Sequence, residues 1–142
     1  MQVKDLMTTD VVTVGLDASL REAVGKLLEK EVGSVIVLNE DEDPVGIVTE
    51  SDALHAAYVT QKPLSDIPVT KLAHHPVVTI DPSSTVQMVA KRMADNNVKK
   101  VPVMDGIELL GIITLTDIVW HLSDIRAEVG DLVTEPKERQ LD

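Results

Sequence analysis

The sequence predicts a mixed α/β (α+β) fold made of two pseudo-twofold-related β-α-β-β-α units that pack through their sheets. Three observations predict it. Short valine-rich runs are bounded by turns, stretches with a helical period of apolar residues lie between them, and the whole pattern occurs twice. Because a unit of about 54 residues leaves one sheet face poorly covered, we expect the two copies to cover each other.

The repeat is visible at a spacing of 66 residues, which aligns Val11–Val14 with Val77–Ile80. After a gap of one residue in an acidic turn, Gly46–Asp52 aligns with Gly111–Asp117. The agreement falls at corresponding elements, which indicates a duplication. Clefts form where two duplicated units meet, so two similar clefts are expected.

Each unit reads as a strand, a helix, two strands joined by a turn, and a second helix. The strands are predicted at Val11–Val14, Ser34–Leu38 and Val45–Val48, and again at Val77–Ile80, Lys100–Met104 and Leu110–Ile113. The first helices carry apolar residues with helical spacing at Leu20, Ala23, Val24, Leu27 and Leu28, and at Val86, Val89, Ala90, Met93 and Ala94. Asp17 and Ser83 are the candidate N-caps of these two helices.

The predicted organisation has four segments: the first repeat at 1–58, a linker at 59–68, the second repeat at 69–122 and a polar tail at 123–142. Pro63 and Pro68 indicate that the linker is short and turn-rich. The tail is interrupted by Pro136, and we expect it to hold at most a helical turn near Ile125–Val129 before it frays.

Composition excludes several classes of function. The net charge of −11, from 24 acidic and 13 basic residues, repels phosphate backbones and anionic lipid, so neither a nucleic-acid polymer nor a membrane is an expected partner. The absence of cysteine excludes thiol catalysis, disulfides and cysteine-ligated zinc. No stretch reads as a signal peptide or a bilayer span, so we expect a cytoplasmic protein. No catalytic motif is present, and we expect neither enzyme activity nor a required cofactor.

The order strand, helix, strand, strand, helix, closed by Gly46–Asp52 and Gly111–Asp117, resembles the cystathionine-β-synthase (CBS) domain, and its duplication resembles the CBS pair, or Bateman module. The resemblance covers about residues 3–122. It implies a stand-alone regulatory sensor of an adenosyl ligand, such as AMP, ADP, ATP or S-adenosylmethionine, that forms a homodimer. The alternative is a ligand-independent interaction module that docks an enzyme or a transporter.

Thr49-x-x-Asp52 and Thr114-x-x-Asp117 are the candidate ligand sites, because each lies where a strand leads into a helix. The hydroxyl can donate to a phosphate, and the carboxylate can accept hydrogen bonds from two ribose hydroxyls. The same spacing is also a capping box, in which the two side chains only satisfy the helix start. Both roles can hold in one residue, and the repeated occurrence favours the ligand role.

Charge predicts which cleft holds a phosphate. Residues 3–68 carry 5 basic and 13 acidic side chains, whereas residues 69–122 carry five of each. Lys99 and Lys100 stand where the resemblance places phosphate-binding basic residues, although strand alternation lets only one of them face inward. We therefore expect a phosphorylated ligand in the cleft of Asp117 and a less charged ligand, or none, in the other cleft.

In the first repeat, Gly33 and Ser34 replace these lysines. The resemblance also implies that each aspartate works with the opening strand of the other repeat, with the pairs Asp117 with Met7 and Val12, and Asp52 with Ala73 and Val78. The alternative for these apolar residues is simple core packing. Without an aromatic ring for stacking, we expect micromolar binding, about −8 kcal/mol.

The remaining polar and aromatic residues carry weaker signals. His74 and His75 alternate faces in an extended segment and lack a nearby third ligand, so no metal site is predicted. The acidic run Glu40–Asp43 lacks the ligand order of a calcium loop and predicts a solvated turn. Trp120 lies on a second helix, where it is either a contact anchor between subunits or a buried indole.

Overall fold

The structure is a computed structural model and describes residues 1–73 and 77–130. The first half contains α1 (Val3–Leu6), β1 (Thr13–Gly15), α2 (Leu20–Lys30), β2 (Ser34–Leu38), β3 (Pro44–Thr49) and α3 (Glu50–Thr60). Two 3₁₀ turns, Leu64–Asp66 and Val69–Lys71, lead to α4 (Val86–Asn96), β4 (Lys100–Asp105), β5 (Glu108–Thr114), α5 (Leu115–Trp120) and α6 (Leu122–Gly130). The predicted mixed α/β class is confirmed.

The strands form two sheets. In the first, β1 runs parallel to β2 and β3 runs antiparallel to it. In the second, β4 and β5 form an antiparallel pair. The strand predicted at Val77–Ile80 does not form, and only a single bridge between Ile80 and Val103 is found there.

A proline explains this difference between the two halves. In the first half the Ile36 amide donates to the Val12 carbonyl at 2.9 Å, which holds the opening segment against β2. The residue 66 positions after Ile36 is Pro102, which has no N–H to donate. The Val78 carbonyl cannot receive the equivalent bond, and pairing starts only at Ile80.

Helices α2 and α4 have caps two residues later than predicted. Ser19 and Thr85 are the N-caps, and each hydroxyl accepts from the amide three residues later at 3.2 Å. The prediction of Asp17 and Ser83 as caps is therefore wrong. The Ser83 hydroxyl and amide instead donate to the Asp81 carboxylate at 2.5 and 2.8 Å, and these bonds lower the pKa of Asp81.

The apolar stripes of α2 and α4 are narrower than predicted. Their buried residues are Leu20, Ala23 and Leu27 in α2, and Val86, Val89 and Met93 in α4. Leu28 is 75% exposed, and Ala90 and Ala94 also face solvent. Each helix therefore covers its sheet with one row of residues spaced by three and four positions.

Each of the two hydrophobic cores is completed by a segment from the other half of the chain. Val3 and Leu6 of α1 lie in the second core, which otherwise comes from residues 80–113. Ile67 and Val69, which follow α3, lie in the first core. Backbone bonds hold both segments, since the Val3 amide donates to the loop before α4 at 2.8 Å and the Leu20 amide donates to the Ile67 carbonyl at 2.6 Å.

The sheet faces that the helices leave open are turned toward each other. Alternation along β2 places Val35 and Val37 in the first core and Ile36 on the opposite face, where it is still buried. Pro102 and Ile112 are the buried residues on the equivalent face of the second sheet. Ile36 and Ile112 line one common cleft, so the two units pack through their sheets as predicted.

The chain after the second sheet is more helical than predicted. Helix α6 extends beyond the helical turn expected near Ile125–Val129, and residues 131–142 lie outside the described part of the chain. Trp120 is 80% exposed, so the alternative of a buried indole is wrong. None of the helices formed by the described residues is long and apolar enough to span a bilayer.

A glycine permits the N-terminal segment to reach the second sheet. The Thr8 amide donates to the Ile112 carbonyl at 2.8 Å, and the Ile112 amide donates to the Thr8 carbonyl at 2.9 Å. A Cβ on Gly111 would lie only 2.5 Å from the Thr8 carbonyl oxygen, so any side chain there would displace backbone. Glycine is therefore required where the segment crosses from one unit to the other.

Replacing this glycine tests the crossing. Gly111→Ala is expected to lower the free energy of unfolding by about 1–3 kcal/mol, because the backbone must shift to accept the methyl group. Gly25→Ala in α2 is the matched control: apart from the neighbouring residues and the backbone of α2 itself, nothing lies within 4 Å of the new Cβ, and alanine there should stabilise the protein by about 0.5–1 kcal/mol. Urea unfolding followed by circular dichroism measures both variants. If Gly111→Ala unfolds at the same urea concentration as the wild type, the close approach of Thr8 to Gly111 is contradicted.

Candidate functional site

Both T-x-x-D motifs form capping boxes, one between β3 and α3 and the other between β5 and α5. The Thr49 amide donates to Asp52 Oδ2 at 2.9 Å, and the Asp52 amide donates to Thr49 Oγ1 at 3.2 Å. Thr114 and Asp117 repeat these two bonds at 2.9 and 3.0 Å. All four residues are half-buried. The capping role is therefore present in both repeats, and any ligand role must be compatible with it.

Capping leaves acceptor capacity on the Asp117 carboxylate. Its Oδ2 accepts from the Thr114 amide, whereas no donor among the described residues bonds to its Oδ1. An ionised carboxylate offers about four lone-pair sites. Asp117 can therefore cap its helix and still accept hydrogen bonds from a ribose.

The first amides of α3 and α5 are largely used within the protein. The Glu50 amide donates to the Gly33 carbonyl at 3.1 Å, and the Leu115 amide donates to the Lys99 carbonyl at 2.8 Å. The third amide of each helix bonds to the capping threonine. An anion would therefore depend on side-chain ammonium and hydroxyl groups more than on the helix start.

A cleft of about 400 Å³ forms where the second motif faces the first repeat, and we call it the Asp117 cleft. It brings together five of the predicted site residues: Val12, Ser34, Lys100, Thr114 and Asp117. Its volume lies within the range of small-molecule sites, roughly 300–1,000 Å³. Met7 does not line it, because this side chain packs on the second core beside Gly111.

Four polar residues that the sequence analysis did not identify also line the Asp117 cleft: Thr8, Asp10, Glu31 and Thr116. Thr116 had a signal, because a hydroxyl residue directly precedes the aspartate in both motifs. Thr8 and Asp10 had none, since they reach the cleft only through the crossing of the N-terminal segment. Glu31 is the left-handed C-cap of α2, with φ of 54°, and only the fold brings that turn to the cleft.

The second cleft, of about 620 Å³, lies at the equivalent position around the first motif, and we call it the Thr49 cleft. Thr49–Ser51 line it from the first repeat and Asn96–Lys100 from the second. Asn97 is the counterpart of Glu31, and both are left-handed caps of a first helix, with φ of 53° and 54°. The two clefts are therefore built from equivalent positions of the duplicated units.

The two lysines lie in different places. Lys99 lines the Thr49 cleft and not the Asp117 cleft, whereas Lys100 lines both. Lys100 and Glu50 both reach Gly33. A Cβ built on Gly33 would lie 2.9 Å from Lys100 Nζ and 3.1 Å from Glu50 Oε1. Lys100 alone of the pair lines the Asp117 cleft, in line with the expectation that only one lysine faces inward. The other, Lys99, lines the cleft around the first motif instead, because β4 begins opposite the motif of the other repeat.

The other residues predicted for the first motif do not come together in the described part of the chain. Asp52 caps α3 and does not line the Thr49 cleft. Ala73 packs against the first core and Val78 against the second. The predictions on His74 and His75 concern residues outside the described ranges. Within those ranges, no group of three or more side chains that could hold a metal ion comes together.

A pair of basic residues, which the sequence analysis did not identify, supports the opening segments of both repeats. Lys26 Nζ donates to the Thr13 carbonyl at 2.5 Å, and Arg92 Nη1 donates to the Thr79 carbonyl at 2.6 Å. Both donors and both acceptors are 66 residues apart. The sequence did contain a signal for this pair, because both repeats have a basic residue at the same position of the first helix. These bonds hold the backbone that leads out of the clefts.

Comparison with known families identifies this architecture. The sequence profile of the CBS domain matches twice, over residues 3–58 and 65–124. The chain belongs to the CBS domain family. The resemblance seen in Gly46–Asp52 and Gly111–Asp117 is therefore confirmed, and the two matches make the chain a CBS pair.

The sequence relatives of this CBS pair include proteins of similar and of greater length. Protein YlbB of Bacillus subtilis is 32% identical over 118 residues, which are 82% of this chain and 79% of that protein. Protein MJ1404 of Methanocaldococcus jannaschii is 27% identical over 137 residues, 88% of this chain. This chain spans only 32% of MJ1404 and 61% of protein MK0525 of Methanopyrus kandleri.

Solved CBS structures share the fold. The CBS-domain protein ATU1752 from Agrobacterium tumefaciens has a TM-score of 0.75 at 34% identity, over 84% of this chain and 91% of that one. The CBS pair of protein MJ0100, in complex with 5′-methylthioadenosine and S-adenosyl-L-methionine, has a TM-score of 0.78 at 25% identity, over 88% and 98% of the two chains. Protein PAE2072 from Pyrobaculum aerophilum, complexed with AMP, shares the fold with a TM-score of 0.79 at 23% identity, over 91% and 98%.

The capping role of the second motif can be measured without a ligand. Thr114→Val is expected to lower the free energy of unfolding by about 1 kcal/mol, because the Asp117 amide loses its acceptor. Thr114→Ser keeps a hydroxyl and should stay within about 0.5 kcal/mol of the wild type. Urea unfolding of the ligand-free protein measures the difference. If the valine and serine variants unfold together, the capping bonds do not stabilise α5.

Proposed function

We propose that this CBS pair is a regulatory module that binds an adenosyl ligand in the clefts between its repeats and signals occupancy through their relative geometry. The observation that carries the proposal is the Asp117 cleft, where Val12 and Ser34 of the first repeat meet Thr114 and Asp117 of the second. The candidate ligands are AMP, ADP, ATP, S-adenosylmethionine and 5′-methylthioadenosine. The last two are the ligands in the complex of MJ0100.

The Asp117 cleft offers the groups that an adenosine needs. Apolar surface for the base comes from Val11, Val12, Ile36 and Ile112. Asp117 supplies carboxylate oxygens for the ribose hydroxyls, and the hydroxyls of Thr8 and Thr116 provide further polar contacts. A mostly apolar wall with a few converging polar groups is typical of a small-molecule site.

The affinity should be moderate. Neither cleft has an aromatic side chain among the described residues that line it. The described lining therefore contributes no ring stacking, which is worth about 0.5–1.5 kcal/mol beyond the buried area. We expect a Kd in the micromolar range, about −8 kcal/mol.

Signalling follows from the position of the clefts between the repeats. A ligand there contacts both repeats, so its affinity depends on how the two are oriented. A ligand shifts a conformational equilibrium only by its difference in affinity for the two states, typically about 1–3 kcal/mol. Such a coupling is sufficient for a regulator and requires no catalytic residue.

Calorimetric titration of the purified chain with the five candidate ligands tests the proposal. At least one is expected to bind with a micromolar Kd. Asp117→Asn should weaken the binding of at least one of these ligands about tenfold or more, because hydrogen bonds to a charged group contribute about 1.5–3 kcal/mol. The amide oxygen of asparagine can still accept the capping bond, so the fold is retained.

Asp105→Asn is the matched control, because Asp105 is exposed and lines neither cleft. It should leave each Kd unchanged. A folded protein that gives no binding heat with any of the five ligands at millimolar concentration would contradict the proposal.

The proposed protein partner is a second copy of this chain, bound through the second helices. Leu54 and Val119 hold equivalent positions on α3 and α5 and are 74% and 61% exposed. Tyr58 and Trp120 add exposed aromatic surface on the same two helices. A single exposed leucine is ordinary, but apolar exposure at equivalent positions of both repeats supports a contact surface.

Analytical ultracentrifugation tests the homodimer. The wild type is expected to sediment at twice 15.4 kDa at micromolar concentration. Leu54→Glu/Val119→Glu should sediment as a monomer, because it places two charges in the contact. Ile107→Glu changes a side chain that is 87% exposed on the β4–β5 turn and should remain dimeric. A monomeric wild type, or a double variant as dimeric as the control, would exclude this surface.

The second candidate function is a ligand-independent module that docks an enzyme or a transporter. The exposed Trp120 favours it, because tryptophan is enriched among the residues that contribute most to protein contacts. The calorimetric titration with the five candidate ligands separates the two functions, because only the first requires ligand binding. Docking without any ligand response would favour the second one.

A further inference from the structure

The two clefts differ in charge at equivalent positions. Residues 31–34 border the Asp117 cleft, and their counterparts at 97–100 border the Thr49 cleft. The first segment carries one carboxylate and no cation, whereas the second carries two lysines and no carboxylate. The two copies therefore carry charges of opposite sign in corresponding segments, although within these segments no acidic residue of one copy corresponds directly to a lysine of the other.

The remaining charged residues keep this difference. Among the described residues that line it, the Asp117 cleft has three carboxylates, from Asp10, Glu31 and Asp117, against the single ammonium of Lys100. The described lining of the Thr49 cleft has the ammonium groups of Lys99 and Lys100 against the carboxylate of Glu50. Even if Asp52 at the start of α3 is added, the charges of these described residues sum to zero, which is more favourable for an anion than the lining of the Asp117 cleft.

We propose that the two clefts take adenosyl ligands of different charge, an inference that rests on the proposed function. The Thr49 cleft accepts a phosphorylated ligand, because Lys99 and Lys100 can donate charge-assisted hydrogen bonds to phosphate oxygens. The Asp117 cleft accepts an uncharged or cationic adenosyl ligand, because its three carboxylates repel a phosphate. This assignment is the reverse of the one expected from the sequence.

Lys99 is the residue that distinguishes the clefts. Lys100 lines both, so its replacement would change the two sites together. Lys99 lines the Thr49 cleft only, and it is exposed, so its replacement leaves the cores intact. On the other side, Asp117 lines only the Asp117 cleft, and asparagine there preserves the cap.

The experiment titrates ATP and 5′-methylthioadenosine separately into the full chain and its variants by calorimetry. Lys99→Ala is expected to weaken ATP binding about tenfold, since each charged hydrogen bond contributes about one factor of ten, and to leave 5′-methylthioadenosine within twofold. Asp117→Asn is expected to weaken 5′-methylthioadenosine binding about tenfold and to leave the Kd for ATP within twofold. Lys62→Ala, which removes an exposed lysine outside both clefts, is the control for net charge and should change neither Kd.

Salt dependence gives a second readout. Because Lys99 is exposed, its attraction for a phosphate is screened, and ATP should bind less tightly at 0.5 M than at 0.05 M salt. The affinity for 5′-methylthioadenosine should hardly change over the same range. The Lys99→Ala variant should show a smaller salt dependence for ATP than the wild type.

The outcomes separate this inference from the proposed function. If neither ligand binds the wild type, the proposed function fails and the charge assignment fails with it. If both ligands bind but Lys99→Ala weakens neither, or weakens both equally, only the charge assignment is overturned. If Asp117→Asn weakens ATP and spares 5′-methylthioadenosine, the assignment is reversed and the expectation from the sequence is restored.

Discussion

The two repeats exchange short segments, and both cores and both clefts are built around this exchange. The N-terminal α1 places Val3 and Leu6 in the second core, and the segment after α3 places Ile67 and Val69 in the first. Each core therefore requires both halves of the chain to be folded. The exchange also brings the open sheet faces together, because a chain that crosses twice holds the two units side by side.

The clefts follow from this arrangement. The N-terminal segment must pass the edge of β5, where Gly111 lets the Thr8 backbone approach and bond to Ile112. The same crossing carries Asp10 and Val12 to the motif of the other repeat. The cleft surface is thus a by-product of closing the cores, and a ligand in it would contact both repeats. The proposed signalling follows from this relation, because a ligand that prefers one orientation of the repeats would stabilise it.

Duplication explains both the similarity and the difference of the clefts. The capping boxes, the left-handed caps of the first helices and the cations that hold the opening backbone recur at corresponding positions. These features stabilise the fold, so both copies keep them. The residues at the starts of β2 and β4 are less constrained by packing. At these positions one copy has Gly33 and Ser34, and the other copy has Lys99 and Lys100. Charge could change at these positions without loss of the core.

The duplication, the mixed α/β class, most of the strands and helices and the two T-x-x-D motifs could be predicted from the sequence, because periodicity and turn residues are local signals. The sequence also contained the reason for the shortened strand before α4, since Pro102 lacks the amide that Ile36 donates. The positions of Lys99 in the Thr49 cleft and of Glu31 in the Asp117 cleft depend on how the two units pack, and they could not be predicted from local patterns. The physical reason is that local patterns specify which face of a strand is buried, whereas the packing of two sheets specifies which motif that face meets.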